Sequence, residues 1–288
     1  HMRSELPMKT DFETLKALAS YTINHLIESK TVEFNITKRT ELIEAMATEF
    51  AGSCLAGTGQ FCTNPGMVLL IAGGSAERFV AETVTRFASA PVGTLLSKSV
   101  QTSLLHSHDI LRQAGAEVLC GTGAGGGTGY SVADTLFRIS GARFLNDPVT
   151  MQTEAFGNTS LLVVAADLAE AAAVLSSLEG NLTGSLYSAA DDADDAAYDQ
   201  LEPILRSKVG RLLNNKMPTG VAVSPAMNHG GPFPATGHPG FTAVGVPAAL
   251  TRFAVLQCYD NVREDRLPEV LRDAYDGPAQ RLVDGRWT

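Results

Sequence analysis

The stretch GQFCTNPGMVLLI, residues 59–71, joins a polar loop containing glycine and proline to a short apolar run. The five residues 67–71 carry no polar side chain, which is typical of a strand buried on both faces of a parallel sheet. Residues 75–89 follow with apolar side chains at helical spacing, which predicts a helix directly after this strand. The stretch therefore predicts an α/β fold with a thiol, Cys62, at one edge of its sheet.

The alternation of strands and helices continues along the chain. Apolar runs predict strands at 117–120, 160–165, 183–188 and 209–213, and helical patterns occupy 99–114, 167–178 and 193–208. Strands separated by helices of this length are typical of right-handed βαβ units. The predicted fold is therefore a mainly parallel sheet flanked by helices. A packing helix is also predicted at 246–256, after a loop rich in glycine and proline.

The first 39 residues differ from the rest in composition, since four of the seven lysines lie there. Residues 10–13 form a capping box, and the apolar residues after them have helical spacing. Residues 31–37 are predicted to be extended, followed by a helix over 40–55. We expect a helical extension over 1–39, which is either a cap on the main domain or a foreign or rearranged segment. The main domain is predicted over 40–288.

The composition and the net charge disfavour several classes of partner and of structural site. The net charge of −9 disfavours nucleic acid and anionic membranes, because both require clustered lysine and arginine. No apolar run approaches the length that spans a bilayer, and no secretory signal is visible in the given residues. The four cysteines lack C-x-x-C spacing, which disfavours a zinc site and a disulfide framework. We expect a cytoplasmic protein with reduced thiols and no bound metal.

The glycine run at 121–126 matches G-x-G-x-x-G, the turn that holds the pyrophosphate of a dinucleotide. Such a turn opens a helix, whose N-terminal amides bind the phosphates. The residues after Gly127 instead predict a loop and a strand. No acidic residue follows at the distance that a ribose contact requires. The run is therefore predicted to be a flexible surface loop.

Cys62 is the candidate nucleophile. A reactive cysteine requires access to substrate and a neighbour that favours the thiolate. Gly59 permits a tight turn beside the sheet, where the amide of Cys62 can donate to a developing oxyanion. Chemistry alone leaves a buried, inert cysteine open as the alternative. His106, His108 and His229 are distant in sequence and are predicted to be surface or loop residues.

Several motifs in a fixed order extend this interpretation. The loop 59–66 resembles the active-site cysteine signature of the aldehyde dehydrogenase superfamily, in particular of its 2,5-dioxovalerate (α-ketoglutaric semialdehyde) dehydrogenase branch. Further segments resemble motifs of the same branch: GY and TLF within 129–137, EAFG at 154–157, PTGV at 218–221, HGGPFPAT at 229–236 and RLVDG at 281–285. The chain departs from the family at Asn158, where proline is usual, and at Thr153, where a second acid is common.

The resemblance implies the fold of an aldehyde dehydrogenase catalytic domain and a reaction. The Cys62 thiolate would attack an aldehyde, hydride transfer to NAD or NADP would leave a thioester, and water would hydrolyse it. Glu154 would hold the nicotinamide ribose and Phe156 would line the nicotinamide pocket. Phe233 would shape the substrate tunnel or have only a packing role. The implied substrate is 2,5-dioxovalerate, oxidised to 2-oxoglutarate by a homo-oligomer.

Full-length members of the family carry a nucleotide-binding half before the cysteine, and no equivalent of it is recognisable in this sequence. We therefore expect a catalytic half that binds no cofactor by itself and lacks robust NAD(P)-dependent oxidation. Two other classes stay open. One is a catalytically silent assembly or regulatory module that retains the fold, and the other is a cysteine-dependent esterase or acyltransferase.

Overall fold

The computed structural model describes residues 33–126, 129–188, 195–224, 227–237, 255 and 257–288. The chain divides into two compact units, one up to residue 249 and the other from residue 250. The predictions for residues 1–32 and for the helix at 246–256 lie outside the described residues, apart from residue 255. The domain boundary at residue 39 stays a prediction. In the described part of the chain, no helix is long and apolar enough to cross a membrane.

Helices and strands alternate along the first unit. Its elements are α1 Glu33–Leu55, β1 Met67–Ile71, α2 Gly74–Ser89, α3 Lys98–Gln113, β2 Glu117–Cys120, β3 Thr135–Ser140, α4 Gly141–Asn146, α5 Pro148–Met151, β4 Thr159–Ala165, α6 Leu168–Ser177, β5 Asn181–Leu186, α7 Asp195–Lys208 and β6 Val209–Asn214. The strands and helices predicted between residues 67 and 213 are therefore confirmed. The prediction of an extended segment is wrong for residues 33–37, which begin helix α1. Their β-branched and aromatic side chains disfavour a helix only weakly, and neither glycine nor proline interrupts them.

The second unit is small and contains little regular structure among its described residues. Two 3-10 turns occupy Glu264–Arg266 and Glu269–Leu271. Strands β7, Leu282–Val283, and β8, Arg286–Trp287, pair antiparallel.

The main sheet has the order β1-β4-β3-β2. Strands β1, β4 and β3 are parallel, and β2 is antiparallel to β3. Strands β5 and β6 form a separate parallel pair. The glycine run at 121–126 follows β2 and leads into the antiparallel strand β3 rather than into a helix, so it lacks the geometry of a dinucleotide turn. The predicted α/β class with a mainly parallel sheet is confirmed.

The central strand β4 determines how the layers pack. All seven of its residues are buried, as expected for a strand with parallel neighbours on both sides. Successive side chains point to opposite faces of the sheet. On one face Leu162 packs with Phe50 of α1 and Phe79 of α2, and on the other Val163 packs with Val174 of α6. Helices on both faces thus hold the parallel strands in register.

The pairing of β1 with β4 places the loops that precede these two strands side by side, at the end of the sheet where both strands begin. Strand β1 is aligned with β4 so that Met67 lies opposite Leu161. The amide of Leu161 donates to the carbonyl of Gly66 at 2.9 Å, and the hydroxyl of Ser160 donates to the carbonyl of Pro65 at 2.8 Å. The loop before β1 and the loop before β4 are therefore adjacent.

His108 is buried in helix α3, so the prediction that it lies on the surface or in a loop is wrong. It shares one face of the helix with Leu104 and Leu111, which are also buried. Its Nε2 lies 2.8 Å from the hydroxyl oxygen of Thr159, and its ring packs edge-on against Phe137. Burial lowers the pKa of His108 to about 4. His106, two residues earlier, is exposed as predicted.

Protonation of His108 is expected to destabilise the fold as the pH falls. The folded pKa of about 4 lies below the ordinary value of 6.5, so the unfolded chain binds more protons between these values. The contribution of neutral, buried His108 to the free energy of unfolding is therefore complete above pH 6.5, and it is lost progressively as the pH falls toward 4. A shift of this size corresponds to about 3 kcal/mol over the whole window.

Urea unfolding at pH 7 and at pH 5 measures this loss. The variant His108→Gln retains a group that can hydrogen-bond to Thr159 but does not titrate, so its stability should fall less than that of the parent chain between the two pH values. An equal loss in both proteins would contradict the assignment to His108.

Candidate functional site

Cys62 lies in the tight loop between helix α1 and strand β1, and its side chain is exposed. Helix α1 ends in the 3-10 turn Ala56–Gly59, in which residues 57–59 have φ values of 55°, 59° and 68°. These left-handed values reverse the chain direction at the end of the helix. The amide of Asn64 then donates to the carbonyl of Phe61 at 3.0 Å, closing a turn around the cysteine. The thiol is thus presented at the tip of a hydrogen-bonded loop.

The cysteine loop is fixed to the loop before β4 by Asn64. The side-chain amide of Asn64 donates to the carbonyl of Gly59 at 3.1 Å and to the carbonyl of Gly157 at 2.9 Å. Gly59 and Gly157 approach so closely that a Cβ on Gly59 would collide with the carbonyl oxygen of Gly157. The cysteine signature and the EAFG motif, distant in sequence, therefore form one continuous surface.

Glu154 and Phe156, predicted to bind cofactor, lie on this second loop. The side chain of Glu154 is exposed, while its backbone carbonyl accepts a hydrogen bond of 2.9 Å from the hydroxyl of Ser107 in helix α3. Phe156 is half-exposed. The structure thus brings both residues to the same surface as Cys62 and anchors the backbone that carries them.

His229 is the partner that sequence reasoning missed. It follows strand β6 in a loop, and its Nε2 lies 3.0 Å from the Sγ of Cys62. The two residues are 167 positions apart, so no spacing rule links them. Their position in two motifs of one family, GQFCTNPG and HGGPFPAT, is the signal that was available. A thiol and an imidazole at this distance can share a proton, as the activation of a cysteine nucleophile requires.

The segment before His229 is also fixed to the cysteine loop. The hydroxyl of Thr219, in the PTGV motif, lies 3.3 Å from the carbonyl oxygen of Thr63 and 3.0 Å from that of Ser53 in helix α1. The hydroxyl of Ser53 lies 2.7 Å from the Thr219 oxygen. Since Thr63 adjoins Cys62, both Thr219 and His229 contact the loop that carries the nucleophile.

Phe233 lies on the same late loop as His229, and its side chain is 82% exposed. The turn that carries it is closed by the amide of Gly231, which donates to the hydroxyl of Thr236 at 2.8 Å. The exposure of Phe233 is at odds with a pure packing role, and a substrate role stays a prediction.

Asn158, the departure from the usual proline, is buried and has partners. Its side-chain amide donates to Oδ1 of Asp134 at 2.5 Å and to the carbonyl of Val132 at 2.8 Å. Burial raises the pKa of Asp134, and the hydrogen bond from Asn158 opposes that rise. The asparagine thus joins the loop before β4 to the end of the glycine-rich loop before β3.

The chemistry of this surface fits one end of a nicotinamide dinucleotide. The exposed carboxylate of Glu154 can accept hydrogen bonds from ribose hydroxyls, and the ring of Phe156 offers an apolar face to a nicotinamide. The glycine run at 121–126 does not fit the phosphates, for the topological reason given above. Among the described residues, no group of three or more histidine, cysteine or acidic side chains is arranged to hold a metal ion.

Substitution of Gly59 tests the contact between the two loops. A methyl group at residue 59 collides with the carbonyl of Gly157 and requires a left-handed φ, so Gly59→Ala is expected to reduce the free energy of unfolding by about 1–3 kcal/mol. Alkylation of Cys62 by iodoacetamide should slow at the same time. Denaturant unfolding and peptide mass spectrometry measure the two effects.

Gly52→Ala is the matched control. Gly52 lies within helix α1 with no atom within 4 Å of an added Cβ, so alanine there should be neutral or stabilise the helix by up to about 1 kcal/mol. The contact is not as described if the two alanine variants have the same stability and the same Cys62 reactivity.

Comparison with known proteins places this site in a family context. The sequence profile of the aldehyde dehydrogenase family matches residues 30–238. The chain is 40% identical over 243 residues to alpha-ketoglutaric semialdehyde dehydrogenase 2 of Azospirillum brasilense, covering 84% of this chain and 46% of that protein. It is 33% identical over 242 residues to alpha-ketoglutaric semialdehyde dehydrogenase of Acinetobacter baylyi, covering 84% and 45%. The chain spans about half the length of these relatives.

Solved structures show the same fold. One is 1-pyrroline-5-carboxylate dehydrogenase from Thermus with bound NAD, similar with a TM-score of 0.54 and 23% identity over 66% of this chain and 36% of that one. Another is proline utilization A from Bdellovibrio bacteriovorus, with a TM-score of 0.59 and 22% identity over 73% and 21% of the two chains. Because the family profile covers more than half of the chain and the fold agrees, the chain belongs to the aldehyde dehydrogenase family.

Proposed function

We propose that the chain forms the catalytic centre for oxidation of an aldehyde through Cys62, with 2,5-dioxovalerate (α-ketoglutaric semialdehyde) as substrate and 2-oxoglutarate as product. The observation that carries the proposal is the 3.0 Å separation between the Sγ of Cys62, which is exposed on the loop before β1, and the Nε2 of His229, on the loop after β6. The choice of substrate is supported by similarity to two relatives named for it. Assembly into a homo-oligomer stays a prediction from the resemblance.

The first step uses only residues of this chain. The imidazole of His229 accepts the thiol proton, which leaves a thiolate as the nucleophile. The sulfur adds to the aldehyde carbon, a C–S bond forms, and the electron pair of the C=O bond moves to oxygen. The imidazolium then returns the proton to that oxygen, giving a neutral thiohemiacetal.

The developing oxyanion has a donor close by. Among the described residues, no acceptor binds the backbone amide of Cys62, although the loop around it is closed by other hydrogen bonds. An amide held in this way without a partner can donate to an oxygen that gains charge beside the sulfur. This geometry supports the predicted oxyanion role of the Cys62 amide.

Glu154 would hold a ribose of NAD or NADP, and Phe156 would line the pocket of its nicotinamide. When bound, the dinucleotide supplies the hydride acceptor that conversion of the aldehyde to the acid requires. Phe233 would contact the substrate from the loop that also carries His229. Its exposed ring can cover the apolar part of a short aldehyde and exclude water from it.

Iodoacetamide labelling of the four cysteines tests the proposal. At pH 7, Cys62 should react about ten-fold or more faster than Cys258, and His229→Ala should remove most of that advantage, because a positioned base contributes at least this factor. Cys258 is the appropriate reference because it is also exposed and no described histidine lies within hydrogen-bond distance of it. Peptide mass spectrometry gives the rate for each thiol.

The other thiols and a second histidine are the controls. Burial raises the pKa of Cys54 and of Cys120, so both should react slowly. His106→Ala removes an exposed histidine from helix α3 and should leave the labelling of Cys62 unchanged. Cys62 labelling no faster than that of Cys258 would contradict the proposal and favour a catalytically silent module.

A further inference from the structure

Arg211 is a cation at the centre of strand β6 whose position none of the motifs explains. It lies opposite Thr183 of strand β5, and its side chain is partly buried. The residues around it in the strand are mainly apolar, including Val209 and Leu212. Burying part of a guanidinium is unfavourable unless its donors are satisfied, so its partners indicate what it does.

The guanidinium holds the segment that leads to His229. Its Nη2 donates to the carbonyl of Pro218 at 2.8 Å, and both Nη atoms lie 3.4 Å from the carbonyl of Gly220. Its Nη1 also lies 3.9 Å from the sulfur of Met227, two residues before His229. The planar fork thus contacts the late loop at two places before His229, at residues 218–220 and at Met227.

The carbonyls of Pro218 and Gly220, which Arg211 contacts, belong to the residues on either side of Thr219, and Thr219 contacts the cysteine loop. The Thr219 hydroxyl lies 3.3 Å from the carbonyl oxygen of Thr63, next to Cys62. Fixing the carbonyls of Pro218 and Gly220 therefore fixes the orientation of the residue between them. Arg211 is connected in this way to both members of the Cys62–His229 pair.

In the part of the chain that the structure describes, no acid neutralises the positive charge of Arg211. Its described hydrogen-bond partners are two carbonyls and a thioether, and no described carboxylate forms an ion pair with it. Burial lowers the pKa of the Arg211 guanidinium, and the negative charge of the Cys62 sulfur opposes that effect.

We propose that Arg211 is a positioning residue for the thiol chemistry, which holds the late loop so that His229 faces Cys62. This inference rests on the proposed function of Cys62 and adds a residue to it.

The test is the rate of Cys62 alkylation by iodoacetamide between pH 6 and pH 9 in the full chain. Arg211→Met should lower the rate at pH 7 by about ten-fold and remove most of the advantage of Cys62 over Cys258, because His229 is then no longer held beside the thiol and a positioned base contributes at least this factor. Arg211→Lys keeps the charge but loses the fork. Because a lysine cannot hold both carbonyls at once, its profile should reach a lower maximum than that of the parent chain.

Arg112→Met is the matched control, since it removes one positive charge from the surface of helix α3, where Arg112 pairs with Asp109. Its profile should be that of the parent chain. If Arg211→Met unfolds at the assay temperature, the Arg211→Lys profile decides alone, and an unchanged maximum overturns the inference. For a folded Arg211→Met, a profile within two-fold of the parent at every pH overturns it.

The two proposals fail in different ways. If Cys62 of the parent chain reacts no faster than Cys258, the proposed function fails. If it reacts fast and Arg211→Met leaves that rate unchanged, only the role of Arg211 fails.

Discussion

The side-chain amide of Asn64 joins two stretches of backbone that are far apart in sequence, through hydrogen bonds to the carbonyls of Gly59 and Gly157. The junction allows no side chain at Gly59, because the backbone of Gly157 occupies that space. Cys62 lies on one of these stretches, and Glu154 and Phe156 lie on the other. The hydrogen bonds of the Asn64 side chain and the absence of a side chain at Gly59 thus fix the position of the cysteine loop relative to the loop that carries Glu154 and Phe156.

The parallel sheet makes this junction possible. Strands β1 and β4 are neighbours in register, so the loops that precede them leave the same edge side by side. Helices on both faces bury strand β4 completely and prevent the strands from sliding. The late segments, 218–220 and 227–229, reach the same edge from strand β6 and bring the imidazole to the thiol. The site therefore consists of loops whose positions are determined by a rigid scaffold, as is common for catalytic sites.

Local patterns in the sequence were sufficient for the elements of this fold. The apolar run 67–71, the caps and the helical stripes identify strands and helices because each depends on near neighbours in the chain. The buried position of His108 was also available from the sequence, since it shares a helical face with Leu104 and Leu111. Helix α1 begins at Glu33, earlier than the local propensities indicate, because the β-branched and aromatic residues at its start disfavour a helix only weakly.

Only one residue of the Cys62–His229 pair could be predicted from the sequence, and the reason is physical. Cys62 was identified through its motif, but its partner His229 depends on a tertiary contact that spans most of the domain. The role of Asn64, the burial of Asn158 and the contacts of Arg211 likewise depend on where strands β1, β4 and β6 place their loops. A single sequence carries no direct signal for such pairings, because the residues concerned follow no common period.

The proposed reaction depends on covalent addition of the Cys62 sulfur to the aldehyde carbon of the substrate. Carbon-13 NMR of the folded chain, mixed with 2,5-dioxovalerate labelled at the aldehyde carbon, tests it most directly. The account predicts a protein-bound resonance of a tetrahedral carbon, distinct from that of the free hydrate, which is present in Cys258→Ala and absent in Cys62→Ala. Absence of this resonance from the parent chain, or its persistence in Cys62→Ala, would contradict the account.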